Sequence, residues 1–166
     1  MPPVLIGLGA NLDSPAEMIR AAVERLAQDL ELLAVSSLYL TEPQGGPAGQ
    51  NWYHNAVALF ASDLSPPREL LARLLAVEAD LGRRRLEKNG PRVIDLDWLA
   101  QGGLVVEEPP DLIVPHPRLA ERRFVLAPLA EVAPRWRHPL LNLTAQELLA
   151  ALPADGQELK KLGPLA

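Results

Sequence analysis

Two aspartates at alternate positions of an apolar segment are the residues of this sequence best suited to chemistry. They are Asp95 and Asp97, in the stretch NGPRVIDLDW at residues 89–98. Because side chains alternate between the two faces of a strand, both carboxylates are expected on one face, about 6 to 7 Å apart. Carboxylate oxygens suit Mg²⁺, which completes its octahedron with water and phosphate oxygens. A solvated strand face is the competing interpretation of so short a pattern.

A basic segment directly precedes the two aspartates. It contains Arg83, Arg84, Arg85, Lys88 and Arg92. Guanidinium groups bind phosphate oxygens in a bidentate geometry, so cations beside a carboxylate-bound metal suit a polyphosphate ligand. A solvated basic loop is the alternative, above all for Arg84.

The strand-like run 52–60 has the side chains needed to bind a flat heterocycle. Strand alternation places Tyr53 and Asn55 on one face. An aromatic ring can stack on the ligand, and the Asn amide offers a donor and an acceptor that match the amide edge of a pterin or purine. Ordinary packing for Tyr53 and a turn at the strand end for Asn55 are the alternatives.

A third polar group lies in the stretch VPHPRLAERRFVLAPLAEVAP, residues 114–134. It contains His116 between two prolines, the pair Arg122 and Arg123, and Phe124 at the start of an apolar run. No second histidine stands at metal-ligand spacing from His116. Two roles are open for this residue, a loop histidine bonded to backbone or a contact to phosphate.

The elements that must position these residues follow in the order strand, helix, strand, strand, helix, strand. Capping residues before apolar periodicity predict helices over 15–29, from Ser65 to Gly82, and from Thr144. Strands are predicted at 4–8, 33–40, 53–61 and 93–99, with a hairpin return at 104–107. This order predicts an α+β fold, a ferredoxin-like α/β sandwich with one antiparallel sheet, helices on one face, a free second face and extra C-terminal elements.

Two polar segments rich in Gly and Pro precede strands that carry unusual side chains. They are residues 43–51 and 82–91. Loops in such positions can act as lids over a site, and ordinary surface connections are the alternative.

Composition excludes several classes of protein. With 166 residues, 48% of them hydrophobic, the chain suits one core, and we expect a single domain over 1–166. A net charge of −5 argues against nucleic-acid or anionic-membrane partners. The absence of cysteine excludes disulfides, thiolate zinc sites and a cysteine nucleophile. The N-terminal segment has no targeting pattern, so a cytoplasmic protein is expected, and we expect a monomer.

Five sequence blocks together resemble the signatures of the 6-hydroxymethyl-7,8-dihydropterin pyrophosphokinase family. In the family's order they are GLGANL (7–12), YHNAV (53–57), GPRVIDLD (90–97), VPHPRL (114–119) and RRFVLAPLAEVAP (122–134). They span nearly the whole chain, and the last three are the most specific. Members of this family transfer pyrophosphate from ATP to the hydroxymethyl group of the reduced pterin, giving AMP, in folate synthesis. The resemblance implies the same activity here, with ATP and hydroxymethyldihydropterin as the small-molecule partners.

The resemblance also implies roles for individual residues. Asp95 and Asp97 would hold two Mg²⁺ ions that bridge the ATP phosphates. The implied catalytic residues are Arg83, Arg92, Asp95 and Asp97. The implied pterin-binding residues are Thr41, Tyr53, Asn55 and Phe124, with backbone beside Thr41 contributing. The implied nucleotide-binding residues are Glu78, Arg85, Arg92, His116 and Arg122.

Two other functions compete with this expectation. A non-catalytic ferredoxin-like module that binds a small molecule would explain the fold and the aromatic face, but it would leave the paired aspartates and the arginines without a purpose. An RNA-binding domain would use the same kind of sheet to stack bases. The net charge of −5 argues against the second.

Overall fold

A computed structural model describes residues 2–12, 14–43, 48–82 and 93–165 of the chain. The helices are α1 (Pro15–Leu26), α2 (Pro67–Asp80), α3 (Arg123–Val132) and α4 (Ala145–Ala151). The strands are β1 (Val4–Ala10), β2 (Glu31–Val35), β3 (Ser37–Thr41), β4 (Tyr53–Ala61), β5 (Asp95–Gln101), β6 (Val106–Glu108), β7 (Leu112–Val114) and β8 (Leu159–Pro164). A short 3₁₀ turn at Leu119–Glu121 precedes α3.

The main sheet has six strands, and every pair in it is antiparallel. The order is β5-β1-β4-β3-β8, and β2 pairs with β4 beyond the end of β3. The strand predicted at 33–40 is interrupted at Ser36, whose hydroxyl accepts the Val57 N–H at 2.9 Å. Two short strands therefore line the same edge of β4. The predicted α+β class with an antiparallel sheet is confirmed.

Each face of the sheet packs against its own pair of helices. On one face, α1 and α2 bury residues such as Ile19, Leu26 and Leu74 against the apolar side chains of β1, β4 and β5. On the other face, α3 and α4 bury residues such as Leu126 and Leu148. The expectation that helices would occupy one face only is wrong, because the apolar run that follows Phe124 is a helix with a buried side. On the second face, the sheet is open only where α3 and α4 do not cover it.

Side-chain caps were predicted at the starts of three helices, and one of the three is present. At α4, the Thr144 hydroxyl accepts the Glu147 N–H at 3.1 Å, and the Glu147 carboxylate accepts the Thr144 N–H at 2.9 Å. Ser14, predicted to cap α1, has φ 58°, and its side chain caps no backbone N–H among the described residues. At α2 the residue in the cap position is Pro66 instead of Ser65.

The predicted hairpin return has a different partner from the one expected. The strand after Gly102-Gly103 is β6, and it pairs with β7 in a separate two-stranded sheet instead of returning along β5. Pro109 and Pro110 lie in the turn between β6 and β7. The sequence patterns also missed α3 as a helix and β8 as a strand.

None of the helices in the described ranges combines the length and the hydropathy needed to cross a bilayer. The two predicted lid segments are residues 43–51 and 82–91. Residues 44–47 of the first and 83–91 of the second lie outside the described residues.

Candidate active site

Two glycines of β1 form the floor of an open cavity on the second face of the sheet. Gly9 lies opposite Asp95 on one side and Asn55 on the other, while Gly7 lies opposite Asp97 and Val57. Directly opposed residues in a sheet share a face, so the acidic and amide side chains flank a strip without side chains. A Cβ added to Gly9 would lie 2.7 Å from Asn55 Oδ1. The glycines therefore keep the floor open between β4 and β5.

The acidic side of the cavity is formed by Asp95 and Asp97. Both carboxylates line the cavity and are half-buried, as strand alternation predicts. On the opposite face of β5, Ile94, Leu96 and Trp98 are buried in the core.

Glu78 of α2 contacts the backbone of β5, which is an edge strand of the sheet. Its side chain is 4% exposed, and its carboxylate accepts the N–H of Leu96, the residue between the two aspartates, at 2.7 Å. A charge-assisted hydrogen bond of this length is strong. Glu78 thus contacts the strand that carries the acidic pair.

The carboxylate pair fits Mg²⁺. It offers hard oxygen donors on one wall of a cavity that is open to water and to a ligand. Magnesium requires only one or two protein carboxylates, because water and phosphate oxygens complete its coordination. Within the described residues there is no cluster of three or more His, Cys, Asp or Glu side chains that would suit zinc or calcium.

Two arginines form the cationic rim of the cavity. Arg118 and Arg122 both line it. Burial and the neighbouring Arg118 lower the pKa of Arg122, and the charges of Asp97 and Asp95 oppose that shift. Arg122 stays cationic at neutral pH because guanidinium groups do not deprotonate in proteins. The rim therefore presents positive charge close to the acidic pair.

His116 lies behind this rim. Its Nδ1 accepts the backbone N–H of Arg118 at 3.1 Å, and the backbone N–H of His116 donates to the Leu99 carbonyl at 2.8 Å. Burial and the charge of Arg122 lower its pKa to about 4, although Asp95 acts in the opposite direction. The ring is thus neutral near pH 7, and Nε2 carries its proton.

The opposite end of the cavity is aromatic and amide-lined. Thr41, Tyr53, Asn55 and Phe124 all line it. The Asn55 amide donates from Nδ2 to Thr41 Oγ1 at 2.6 Å, and both residues are buried. The guanidinium carbon of Arg122 lies 5.4 Å from the centre of the Phe124 ring, a cation–π distance. Phe124 therefore connects the aromatic end with the cationic rim.

A buried amide joins the floor of the cavity to the segment before β4. Asn11, 2% exposed, donates to the Asn51 carbonyl at 2.9 Å and to Gln50 Oε1 at 3.2 Å. The Asn51 side chain donates back to the Asn11 carbonyl at 3.3 Å. The GLGANL block thereby fixes the chain directly before Tyr53.

The structure collects most of the predicted site residues in this single cavity. Those that line it are Thr41, Tyr53, Asn55, Asp95, Asp97, Arg122 and Phe124. Among the described residues, Glu78 and His116 flank the cavity without lining it. The predictions for Arg83, Arg85 and Arg92, and the neighbouring Arg84 and Lys88, lie outside the described residues.

Sequence reasoning missed several lining residues. Gly7, Gly9, Glu42 and Arg118 received no role. Arg118 stands in the VPHPRL block two positions after His116, so that block contained a signal for it. The glycines stand in GLGANL, but their function depends on which residues oppose them in the sheet.

Comparison with known proteins identifies a family of similar sequences. A family model described as 7,8-dihydro-6-hydroxymethylpterin-pyrophosphokinase matches residues 5–134. The chain is 42% identical over 157 residues to a Pseudomonas aeruginosa protein named 2-amino-4-hydroxy-6-hydroxymethyldihydropteridine pyrophosphokinase, covering 93% of this chain and 94% of the relative. A protein of the same name from Methylorubrum extorquens is 41% identical, with coverage of 92% and 95%.

Longer relatives contain a similar segment. The Folic acid synthesis protein of Dictyostelium discoideum is 35% identical, but the chain spans only 23% of its length. The wild-type HPPK-DHPS structure of Plasmodium falciparum has a TM-score of 0.69 at 15% identity, covering 90% of this chain and 44% of that one. At that identity the likeness concerns the fold.

Proposed function

This chain belongs to the 7,8-dihydro-6-hydroxymethylpterin-pyrophosphokinase family, and we propose that it transfers pyrophosphate from ATP to the hydroxymethyl group of 6-hydroxymethyl-7,8-dihydropterin. The products are AMP and the pterin diphosphate, an intermediate of folate biosynthesis. One observation carries this proposal. A single cavity joins a carboxylate pair and an arginine rim to a wall of Tyr53, Asn55 and Phe124.

The acidic and cationic end suits the nucleotide. We propose ATP as the co-substrate and two Mg²⁺ ions held by Asp95 and Asp97. Bound magnesium supplies neutralisation of the phosphate oxygens and an in-line arrangement of the reacting groups. Arg122 and Arg118 line the same region and would bind phosphate oxygens bidentately. His116, neutral and protonated on Nε2, would donate a hydrogen bond on the nucleotide side.

The aromatic end suits the pterin. Tyr53 and Phe124 would stack on the two faces of the ring system, and the Asn55 amide would bind its edge. Between the two ends lie Gly7 and Gly9 of β1, which carry no side chains of their own. The hydroxymethyl group and the β-phosphate can therefore approach each other above the backbone of this strand.

The reaction requires positioning and charge stabilisation more than a strong base. The substrate hydroxyl oxygen attacks the β-phosphorus, a new oxygen–phosphorus bond forms, and the bond from the β-phosphorus to the α,β-bridging oxygen breaks. AMP leaves with that electron pair, and the arginine rim stabilises its charge. The hydroxyl proton passes to water or to the Asp97 carboxylate.

The finer description of the fold is also a proposal. Elements β1, α1, β2 with β3, β4, α2 and β5 follow the order of a split βαβ unit, and the sheet order β5-β1-β4-β3 supports a ferredoxin-like assignment. The single domain over 1–166, the monomeric state and the cytoplasmic location stay predictions.

Product analysis by ³¹P NMR tests the function. ATP, Mg²⁺ and 6-hydroxymethyl-7,8-dihydropterin are supplied together, and then each is omitted in turn. We expect AMP and a pterin diphosphate only when all three are present. Formation of ADP would indicate an ordinary kinase, and pterin binding with unchanged ATP would favour the non-catalytic binding module.

A further inference from the structure

We infer that Thr41 is a positioning residue for pterin recognition, because its side-chain hydroxyl holds the amide plane of Asn55 against the open floor at Gly9. The inference rests on the proposed function and adds to it. Thr41 acts through the Asn55 side chain, whereas the resemblance implied that Thr41 and the backbone beside it bind the pterin themselves.

The sheet places the two residues on one face. Tyr39 lies opposite Asn55, and Thr41 lies opposite Tyr53, so Thr41 and Asn55 are diagonal neighbours across β3 and β4. Their side chains meet at 2.6 Å between Asn55 Nδ2 and Thr41 Oγ1. Thr41 is 3% exposed and Asn55 7%, so water competes little for this bond.

The oxygen of the Asn55 amide lies over a residue of β1 that has no side chain, Gly9. Asn55 Oδ1 occupies the space above Gly9, where an added Cβ would be only 2.7 Å away. The amide is thus held between a hydrogen bond on β3 and a glycine on β1. Any side chain at position 9 would force Asn55 to move, because Oδ1 is the atom that a Cβ would meet.

This arrangement fixes what Asn55 offers to a ligand. One of the two Nδ2 hydrogens is used by Thr41, so the second N–H and the Oδ1 lone pairs are left to face the cavity. A donor and an acceptor side by side suit a ring edge that carries an acceptor next to a donor, as in the amide-like edge of a pterin. Without the Thr41 hydroxyl the amide loses the bond that fixes its orientation, and ligand binding would have to supply that order.

Pterin affinity in paired variants tests this inference. Thr41→Val keeps the shape and removes the hydroxyl, whereas Thr41→Ser keeps the hydroxyl. Thr144→Val is the matched control, since it makes the same change at the cap of α4, away from the cavity. The dissociation constant for hydroxymethyldihydropterin is measured by calorimetry with Mg²⁺ and a non-hydrolysable ATP analogue, and KM and kcat are measured with ATP.

We expect Thr41→Val to weaken pterin binding about tenfold, the range of one lost hydrogen bond. The loss should appear in KM for the pterin more than in kcat, and the affinity for the ATP analogue should stay within about twofold. Thr41→Ser should restore pterin binding, Thr144→Val should leave it unchanged, and Gly9→Ala should weaken it as Thr41→Val does. Unchanged pterin affinity in Thr41→Val would overturn the inference.

A second measurement separates this inference from the proposed function. In the ligand-free protein, NMR should show slow hydrogen exchange at the Asn55 side-chain amide, which Thr41→Val should accelerate and Thr144→Val should not. A wild-type protein that binds no pterin would reject the proposed function. Equal exchange in wild type and Thr41→Val would reject the positioning role of Thr41 in either case.

Discussion

At the scale of single residues, neighbouring charges and hydrogen bonds set the chemical state of the groups at the site. The Asp95 and Asp97 carboxylates face the guanidinium of Arg122, whose pKa responds to both of them. The nearby His116 is neutral, because burial and cations disfavour its charged form. The cavity therefore carries fixed positive charge at Arg122, and a neutral imidazole lies beside it.

We predict that His116 does not titrate near neutral pH. Its pKa is lowered from 6.5 to about 4, so the imidazole should stay neutral, with the proton on Nε2, from pH 8 down to about pH 5. Nitrogen-15 NMR of the imidazole in the ligand-free protein measures both the tautomer and the midpoint. A midpoint near 6.5 would contradict the prediction.

The same shift has a consequence for stability. Below about pH 6.5 the unfolded chain binds a proton on His116, whereas the folded chain does not until about pH 4. Stability contributed by this residue is therefore fully present above pH 6.5 and is lost as the pH falls toward 4. Chemical denaturation across this range should show a smaller loss in His116→Asn than in wild type.

At the scale of elements, the site depends on how β5 is held between β1 and α2. The register with β1 sets the two aspartates opposite glycines. The contact from α2 comes from Glu78, which accepts the backbone N–H between those aspartates. The helix thus contacts the acidic strand along the edge that does not pair with β1.

We predict that Glu78 acts on stability and on the geometry of β5. Glu78→Ala leaves the buried Leu96 N–H without this acceptor and should lower the free energy of unfolding by about 1 to 3 kcal/mol. It should also slow AMP formation, while Glu78→Gln, which keeps an acceptor oxygen, should retain most of both. Glu24→Ala on the exposed side of α1 is the control in denaturant titrations. If Glu78 binds the nucleotide instead, both variants should raise KM for ATP with unchanged stability.

Local sequence patterns predicted the elements whose signals are local. Strand alternation located Asp95 with Asp97 and Tyr53 with Asn55 on the cavity face, and the capping box at Thr144 marked the start of α4. Helix α3 was missed because Pro128 stands within it and no side chain among the described residues caps its start.

Features that depend on long-range pairing could not be read from the sequence. The strand β8 contains Gly163 and Pro164, which disfavour strands, and it forms because it pairs with the edge of β3. The roles of Gly7 and Gly9 appear only once their cross-strand neighbours are known. Arg118 reaches the cavity through the turn after β7, which no periodicity predicts.

At the scale of the whole molecule, the sheet has a hydrophobic core on each face. The first core lies between the sheet and α1 and α2, and the second core includes α3 and α4. The cavity lies on the same face as the second core. The first core carries most of the large buried side chains, and the second leaves room beside α3 for ligands. Directly after β8 the chain returns to the first core at Leu165, which is 4% exposed. The backbone of that residue also accepts a hydrogen bond from the Arg20 guanidinium.

We predict that this C-terminal return contributes substantially to stability. Leu165→Ala should lower the free energy of unfolding by about 2 to 4 kcal/mol, since it removes a buried side chain from the first core. Leu162→Ala, at a position 44% exposed, is the matched control and should change it by less than about 0.5 kcal/mol. Denaturant titration measures both, and equal effects would contradict the prediction.

In the proposed mechanism, Asp95 and Asp97 serve the transfer reaction and not the fold. The direct test is the rate of AMP formation in Asp95→Ala and Asp97→Ala, measured beside their thermal unfolding midpoints. We expect the rate to fall by about a thousandfold or more, since metal-bound charge stabilisation is lost. The midpoints should stay close to that of the wild type, because both side chains line the open cavity and belong to neither hydrophobic core. A variant that keeps the normal rate of AMP formation would contradict the account.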